Sequence, residues 1–443
     1  MENKFRSSLV RIALPVTLQS LLQSSFSVVD QVMIGQLGED SIAGIGLGGK
    51  FASIYSVVLG AVAAAAGIMI AQYIGQKDEK KVSRSFYTNL LFSFLIAAVF
   101  MTVCSLSAPQ IMSVYTKDSS TSALAEQYLR IYAWSFLPMA ISTMAAVMLR
   151  CIEAAVFPLL ASFLSVILNT GMNYLLIFGK LGFPTLGVKG AAIASVIAQA
   201  GACVLTIGFF FREITRQQIK LKWDIHFDKA DGRQYLGILG PILVCEFMWS
   251  LGENVYAAIY GNIGTDACAA MTMTGPIQGL MIGALSGLSQ AAGILIGKSL
   301  GNKDYDRAYE DSKRLMKYGL AGSLLLSLAL ILLGRQYVLI YNVETPIQAL
   351  SYQILIAFAL VSPIKVQNMI LGGGIIRSGG KTKYVMWIDM IGTWIFGVPL
   401  GLFTAFVLKL SIPYVYFILS MEEAVRLLIS VVIFRKKSWM TNL

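Results

Sequence analysis

The sequence predicts an all-α membrane protein: twelve transmembrane helices in two pseudo-symmetric six-helix bundles. Three observations predict it. The first is composition. Hydrophobic residues make up 56% of the 443-residue chain and charged residues only 13%, with a mean hydropathy of +0.69. So few charges cannot keep the surface of a soluble protein of this size wet. The second is an internal repeat. Gly35, Gln36, Leu37 and Gly38 return as Gly261, Asn262, Ile263 and Gly264, while Gly75, Gln76, Lys77 and Asp78 return as Gly301, Asn302, Lys303 and Asp304, always 226 residues on. Pro15 returns as Pro241, and the run Ala65 to Ile68 as Ala291 to Ile294. Apolar composition yields scattered matches, but it does not hold Pro, Gly and Lys-Asp punctuation in register. The third is charge placement. With the N-terminus inside, the inner loops hold 26 Lys and Arg and the outer loops 5, which sends both termini to the cytoplasm.

The apolar segments fall at 11–35, 44–74, 86–115, 122–148, 155–179 and 186–211 in the first half, and at 233–262, 267–299, 315–340, 346–374, 383–408 and 412–434 in the second. Each meets the length of about 20 residues that a helix needs to cross the hydrocarbon core. Glycine, serine and proline inside them suit close helix packing in lipid. The alternating segments of a membrane β-barrel, about ten residues each, are absent. The expected domains are an N-lobe (1–211), a cytoplasmic linker (212–232) and a C-lobe (233–443).

The chain opens on a short basic stretch, Met1 to Arg11, and the apolar run behind it passes Gly35 without a small-residue cleavage site. That reads as a first membrane helix rather than a signal peptide. The linker mixes Leu221, Trp223, Ile225 and Phe227 with charges and is expected to lie along the inner interface. Its His226 is the single histidine of the chain and is expected to be solvated, since no second histidine or cysteine pair completes a metal site. Cys104, Cys151, Cys203, Cys245 and Cys268 sit singly on apolar segments and read as packing residues. No GxSxG, Walker A or HExxH arrangement occurs, so no enzyme is expected, and transport energy must come from an ion gradient or a partner subunit. The net charge of +11 belongs to the inner loops. Those loops suit membrane lipid headgroups, and a basic face for nucleic acid is not indicated. Short loops point to a multi-pass protein of a bacterial inner membrane, expected as a monomer without a cofactor.

Several motifs carry a resemblance. Pro15, then Val29-Asp30 and Gly35 to Gly38, resembles the first helix of multidrug and toxic compound extrusion (MATE) transporters. So does Asn169-x-x-x-Asn173 followed by Ile177-Phe178-Gly179. The run Gly187 to Gln199 resembles the pattern G-x-x-G-A-A-x-A that opens the family's sixth helix. The resemblance covers nearly the whole chain. It implies a cation-coupled exporter whose two lobes form a V around a central cavity, with Asp30 as the N-lobe coupling acid. It also marks a departure. Better-known members carry a glutamate on the seventh helix and an aspartate near the start of the eleventh. Here Gly380-Lys381 is followed by Thr382, and the nearest acid is Asp389.

An ionised carboxylate in hydrocarbon is expensive, so acids inside the spans are functional candidates. Asp30 lies five residues before Gly35, about 7–8 Å of helix in from the end. The second repeat has Tyr256 at the equivalent position. Asn169 and Asn173, one turn apart, could bond a protonated Asp30, donate carbonyl oxygen to sodium, or merely join helices. The coupling ion is therefore H+ or Na+. Glu246 and Glu253 are seven apart on the seventh helix, with Asn254 beside the second. Together with Asp389 they could bind a cationic substrate, form a second ion site, or pair with Lys365. Lys50 is placed to pair with Asp30. Glu422 and Arg426 read as a structural i,i+4 pair, and Arg150 and Arg377 as headgroup anchors. Trp134, Trp249, Tyr256, Met271 and Met273 could line a greasy cavity for flat amphipathic or cationic compounds. The expected function is a cation-coupled antiporter exporting such compounds. The alternative is a flippase for lipids or lipid-linked oligosaccharides.

Overall fold

The computed structural model describes residues 2–223, 229–341 and 343–443. These residues are helical and contain no strand. The order is α1 (Glu2–Ile34), α2 (Glu39–Gln76), α3 (Glu79–Leu106), α4 (Ala108–Tyr115), α5 (Ser119–Tyr132), α6 (Phe136–Cys151), α7 (Val156–Phe178) and α8 (Val188–Arg216). The second half holds α9 (Lys229–Ile263), α10 (Thr265–Gly301), α11 (Tyr305–Val338), α12 (Thr345–Asn368), α13 (Thr382–Met390), α14 (Val398–Leu402), α15 (Ile412–Leu419) and α16 (Glu422–Arg435). π-helical turns at Met369–Ile376, Ile391–Gly397 and Phe403–Val407 extend α12, α13 and α14.

Among the described residues, 11 helical stretches are long and apolar enough to cross a membrane. The segment at 412–434 is the twelfth, but the helix breaks between α15 and α16, so neither piece alone has the length. The segment at 122–148 is α5 and α6 run together through a 3-10 turn at Ala133–Ser135. The segment at 86–115 likewise divides into α3 and α4, with Pro109 in the first turn of α4, where its missing N–H costs no bond.

The repeated punctuation has a physical cause. Lys77 and Lys303 sit at φ 58° and 59°, ending α2 and α10. Asp78 and Asp304 then cap the next helices, accepting from Lys81 N and Arg307 N. Gly75 and Gly301 mark a close crossing. A Cβ at Gly75 would strike the carbonyl of Lys298, and one at Gly301 the carbonyl of Gln72. Gln72 and Lys298 are themselves repeat mates.

Contacts group the chain into two compact units. One is Leu18–Ile70 with Asp78–Phe227, the N-lobe unit; the other is Met1–Thr17, Ala71–Lys77 and Asp228–Leu443, the C-lobe unit. In the N-lobe unit α7 packs along α8. Gly190 permits this, because a Cβ there would lie 2.7 Å from the Leu176 carbonyl oxygen. Gly187, at φ 53°, turns the chain into α8. The buried Ile45, Tyr128, Ile177, Val188, Ala191 and Ala192 form the core beside that seam. In the C-lobe unit α11 packs along α12, and α10 meets the π-helical turn after α12, where Ser289 Oγ donates to the Met369 carbonyl at 2.6 Å. Trp439 is fully buried there, and Asn442 Nδ2 donates to the carbonyls of Leu300 and Gly301 at 2.9 Å each.

Around the expected linker, α8 runs to Arg216 and α9 starts at Lys229. Trp223 is 71% exposed and lies with its ring 4.8 Å from that of Tyr87. His226, Ile225 and Phe227 lie outside the described residues. Four cysteines are buried, Cys268 is exposed, and none is in a disulfide.

Candidate functional site

The N-lobe unit holds a cavity of about 450 Å³, whose lining includes Asp30, Tyr128, Tyr132, Arg150, Asn169 and Ser195. That volume falls in the range of small-molecule sites. Near one end, Asn173 Nδ2 donates to Asp30 Oδ1 at 2.7 Å and to Asn169 Oδ1 at 2.9 Å. Asn169 Nδ2 donates to Ser195 Oγ at 3.2 Å, and Ser195 Oγ to the Ala191 carbonyl at 3.1 Å. The i,i+4 spacing of the asparagines on α7 stacks their amides on one face, and that face is turned to α1 and α8. Asn173 is 1% exposed, yet its Oδ1 has no hydrogen-bond partner among the described residues. One carboxylate thus sits beside an acceptor in need of a donor or a cation.

At the other end Arg150 lines the cavity rather than facing headgroups. It stands in the last turn of α6, and its guanidinium donates to Gln19 Oε1 at 3.1 Å. Gln19 Nε2 donates in turn to Ser162 Oγ at 2.6 Å. Lys50 does not join Asp30. Gly44 and Gly48 turn one face of α2 against Leu124 and Tyr128 of α5; Lys50, two residues past Gly48, points away and is exposed. Nor does Trp134 line the cavity: it is 59% exposed on the 3-10 turn.

The C-lobe unit gathers charge around α16. Arg426 is 7% exposed and Glu422 and Glu423 are 6% each. Arg426 pairs with Glu422 at 3.2 Å, Asp389 at 3.7 Å and Glu423 at 3.8 Å, and it also donates to Thr393 Oγ1. Lys365 stands 3.9 Å from Glu423, and Asn368 Nδ2 donates to the same carboxylate at 2.8 Å. Arg377 pairs with Glu246 at 3.5 Å, and the Cys245 thiol donates to Asp389 Oδ2 at 2.8 Å. A smaller cavity of about 220 Å³ opens here, with Trp249, Lys365, Asn368, Arg377 and Asp389 on its wall.

This changes several expectations. Asp389 and Lys365 do enter one site, and Glu246 adjoins it through Arg377, which lines the wall. Glu253 and Asn254 are exposed and lie off the wall; Asn254 Nδ2 donates to the Ser250 carbonyl instead. The seven-residue spacing put the two glutamates on one face, but α9 follows the protein with only part of that face. Lys365 meets Glu423 rather than either of them. Tyr256 is no cavity aromatic: it is buried and its hydroxyl donates to Glu422 Oε2. Met273 is buried in the C-lobe core and Met271 packs against that core, so neither lines the cavity. Glu423, Asn368 and Thr393 were not anticipated. Their signal was a Glu-Glu-x-x-Arg run on an apolar helix, but the partners lie 30 or more positions away on other helices.

A family model described as MatE matches residues 15–175 and 241–403, two blocks that begin on the repeat mates Pro15 and Pro241. An uncharacterized transporter, YisQ of Bacillus subtilis, is 22% identical over 395 residues, covering 89% of this chain and 86% of that protein. The multidrug resistance protein NorM of Burkholderia vietnamiensis is 26% identical over 408 residues, covering 89% and 86%. Among solved structures, the Vibrio cholerae MATE transporter VcmN in its bent form superposes with a TM-score of 0.88 at 17% identity, covering 99% of each chain. At that identity the likeness speaks for the fold.

Proposed function

The chain belongs to the MatE family of membrane transporters, and from that premise we propose that it is a cation-coupled antiporter. It exports organic cations, drugs or other amphipathic compounds across a bacterial inner membrane, with both termini in the cytoplasm. The observation that carries the coupling is the pair formed by Asp30 and the buried, unpartnered Asn173 Oδ1. An unpaired carboxylate is costly at membrane depth. A proton shared between Asp30 and that carbonyl oxygen, or a sodium ion held by both, removes the cost. Loading from the exterior and release to the cytoplasm then bias the lobes between two states, and substrate moves the other way. The naming of NorM as a multidrug resistance protein supports the substrate class.

Ethidium efflux from proteoliposomes tests this, with a pH gradient and a sodium gradient imposed separately. Transport driven by one gradient and lost in Asp30→Asn, with ethidium binding retained, is the expected result. Gradient-driven efflux that survives in the variant would remove Asp30 from the mechanism.

A further inference from the structure

We propose that the segment Trp439–Leu443 is a strap that clasps the last turn of α2 to the end of α10, and that its release is a step of the export cycle. The inference rests on the export reading and adds a latch to it. The segment is built as an anchor and a clasp. After Arg435 the chain leaves α16 and turns back at Lys437, which sits at φ 56°. Trp439 is the anchor. It is fully buried, its ring stacks 5.8 Å from that of Phe434, and its Nε1 donates to the Phe434 carbonyl at 3.3 Å.

The clasp beyond the anchor is polar. On one side Asn442 Nδ2 donates to the Leu300 and Gly301 carbonyls, which end α10. On the other side are Gln72 and Gln76, one turn apart on a single face of α2. Gln76 Nε2 donates to the Leu443 carbonyl at 2.6 Å and to Asn442 Oδ1 at 3.1 Å. Gln72 is fully buried. Its Oε1 accepts from Leu443 N at 2.9 Å, and its Nε2 donates to the Thr441 carbonyl at 3.2 Å and the Ser378 carbonyl at 2.7 Å. The place matters because α2 as far as Ile70 belongs to the N-lobe unit, whereas its last turn, Ala71–Lys77, groups with the C-lobe unit. Lobes that rock must carry this turn with one unit or the other. Hydrogen bonds to carbonyls exchange for water at small net cost, which suits a latch that opens and closes.

The first repeat is built differently here. Glu153 and Gly380 are mates, both left-handed at φ 64° and 75°. Their offset is 227 rather than 226 because the π-helical turn at Met369–Ile376 absorbs one extra residue, which also makes Arg150 and Arg377 mates. Gly379 is then the mate of Ile152. The φ of Gly379 does not call for glycine, but a Cβ there would strike the Trp439 carbonyl. Thr441 Oγ1 donates to the Gly379 carbonyl in turn. So the bare backbone at Gly379 is the seat of the strap. In the first repeat α8 runs on to Arg216 instead, and Gln217 Nε2 reaches the Ile152 carbonyl at 3.3 Å.

The test places spin labels at Lys77→Cys and Lys303→Cys, the exposed residues that end α2 and α10, in full-length protein carrying Cys268→Ser to remove the exposed cysteine. Double electron–electron resonance in liposomes reads the distance between the helix ends, and ethidium efflux is measured in parallel. Asn442→Ala removes both bonds to α10 and one to Gln76. The ratio of molecules with the ends apart to those with the ends together is expected to rise roughly five- to tenfold. On the orientation proposed above, the apparent KM for internal ethidium should fall by a similar factor, because the state that binds from inside is more populated. Gln76→Ala should move both readouts the same way by less, which keeps the proposal testable if Asn442→Ala does not fold. Gln217→Ala, at the related place in the N-lobe unit, should move neither. A lower melting temperature with distances and KM unchanged would make the segment a brace and overturn the strap. So would helix ends that stay together throughout turnover, since their crossing would then be a fixed pivot. If the parent exports no ethidium on either gradient, the export reading falls and the strap loses its place in a cycle; with export intact, the distances and KM decide the strap alone.

Discussion

The two lobe cavities occupy repeat-related helices and solve the problem of membrane charge in opposite ways. In the N-lobe, Asp30 stands among neutral amides and hydroxyls, and among the described residues its donor is Asn173. In the C-lobe the repeat mate of Asp30 is Tyr256, and the acid that it serves, Glu422, comes from α16. There Lys365, Arg377 and Arg426 are interleaved with Glu246, Asp389, Glu422 and Glu423. A lone acid with neutral partners can change its occupancy by a proton or a cation at low structural cost. A crosslinked cluster resists such a change, because Arg426 alone holds three of its acids. On the coupling proposed above, the difference would mean that a duplicated scaffold places a switch in one copy and a brace in the other.

The largest effect should come from the switch. Asp30→Asn is expected to lower gradient-driven efflux by at least about tenfold while the melting temperature moves little, because the amide keeps the shape and removes only the titratable or ion-binding oxygen. A large fall in melting temperature would make Asp30 a brace too and erase the contrast. In the C-lobe the order of effects should reverse. Arg426→Met takes the shared partner from two buried carboxylates, Glu422 and Glu423, and from the half-buried Asp389; it should cost about 3–5 kcal/mol of stability, read as loss of folded protein in a detergent thermal-melt assay. If the variant melts like the wild type, the cluster is not holding α16 to α13. Tyr256→Phe removes one hydroxyl from Glu422 and should cost about 1.5–3 kcal/mol; a normal melt with impaired coupling would instead make Glu422 a second switch. Lys50→Gln marks the low end. Lys50 is exposed and away from Asp30, so efflux within about twofold of wild type and a stability change within about 0.5 kcal/mol are expected. A strong coupling defect there would revive the Asp30–Lys50 pair and place the switch across two helices.

Much of this was legible in the chain. The helical spans, the repeat and the Asp30–Asn173 face follow from local rules: span length, glycine and aspartate punctuation, and i,i+4 spacing. Arg426 shows where local rules stop. Its spacing to Glu422 reads as an ordinary helix pair, and the contacts that make it central, to Asp389 and Thr393, come from α13 and its extension. Arg150 and Arg377 show the same limit. A basic residue near a helix end suits a headgroup and a cavity floor alike, and only the direction of the side chain decides. Glu253 shows the limit too: it is exposed, and Lys365 stands within ion-pair range of Glu423 instead.

By itself the sequence determined the membrane as solvent, the places of the apolar spans, and the duplication, because each depends on composition and spacing along the chain. Tertiary structure alone decided which charges meet. The π-helical turn after α12 shifts Arg377 by one residue, Glu422, Glu423 and Arg426 are buried together on α16, and Asn173 of α7 meets Asp30 of α1. The physical reason is range. Hydrophobic length and helix capping act over a few residues, whereas a buried charge is satisfied only by partners that folding brings from distant positions.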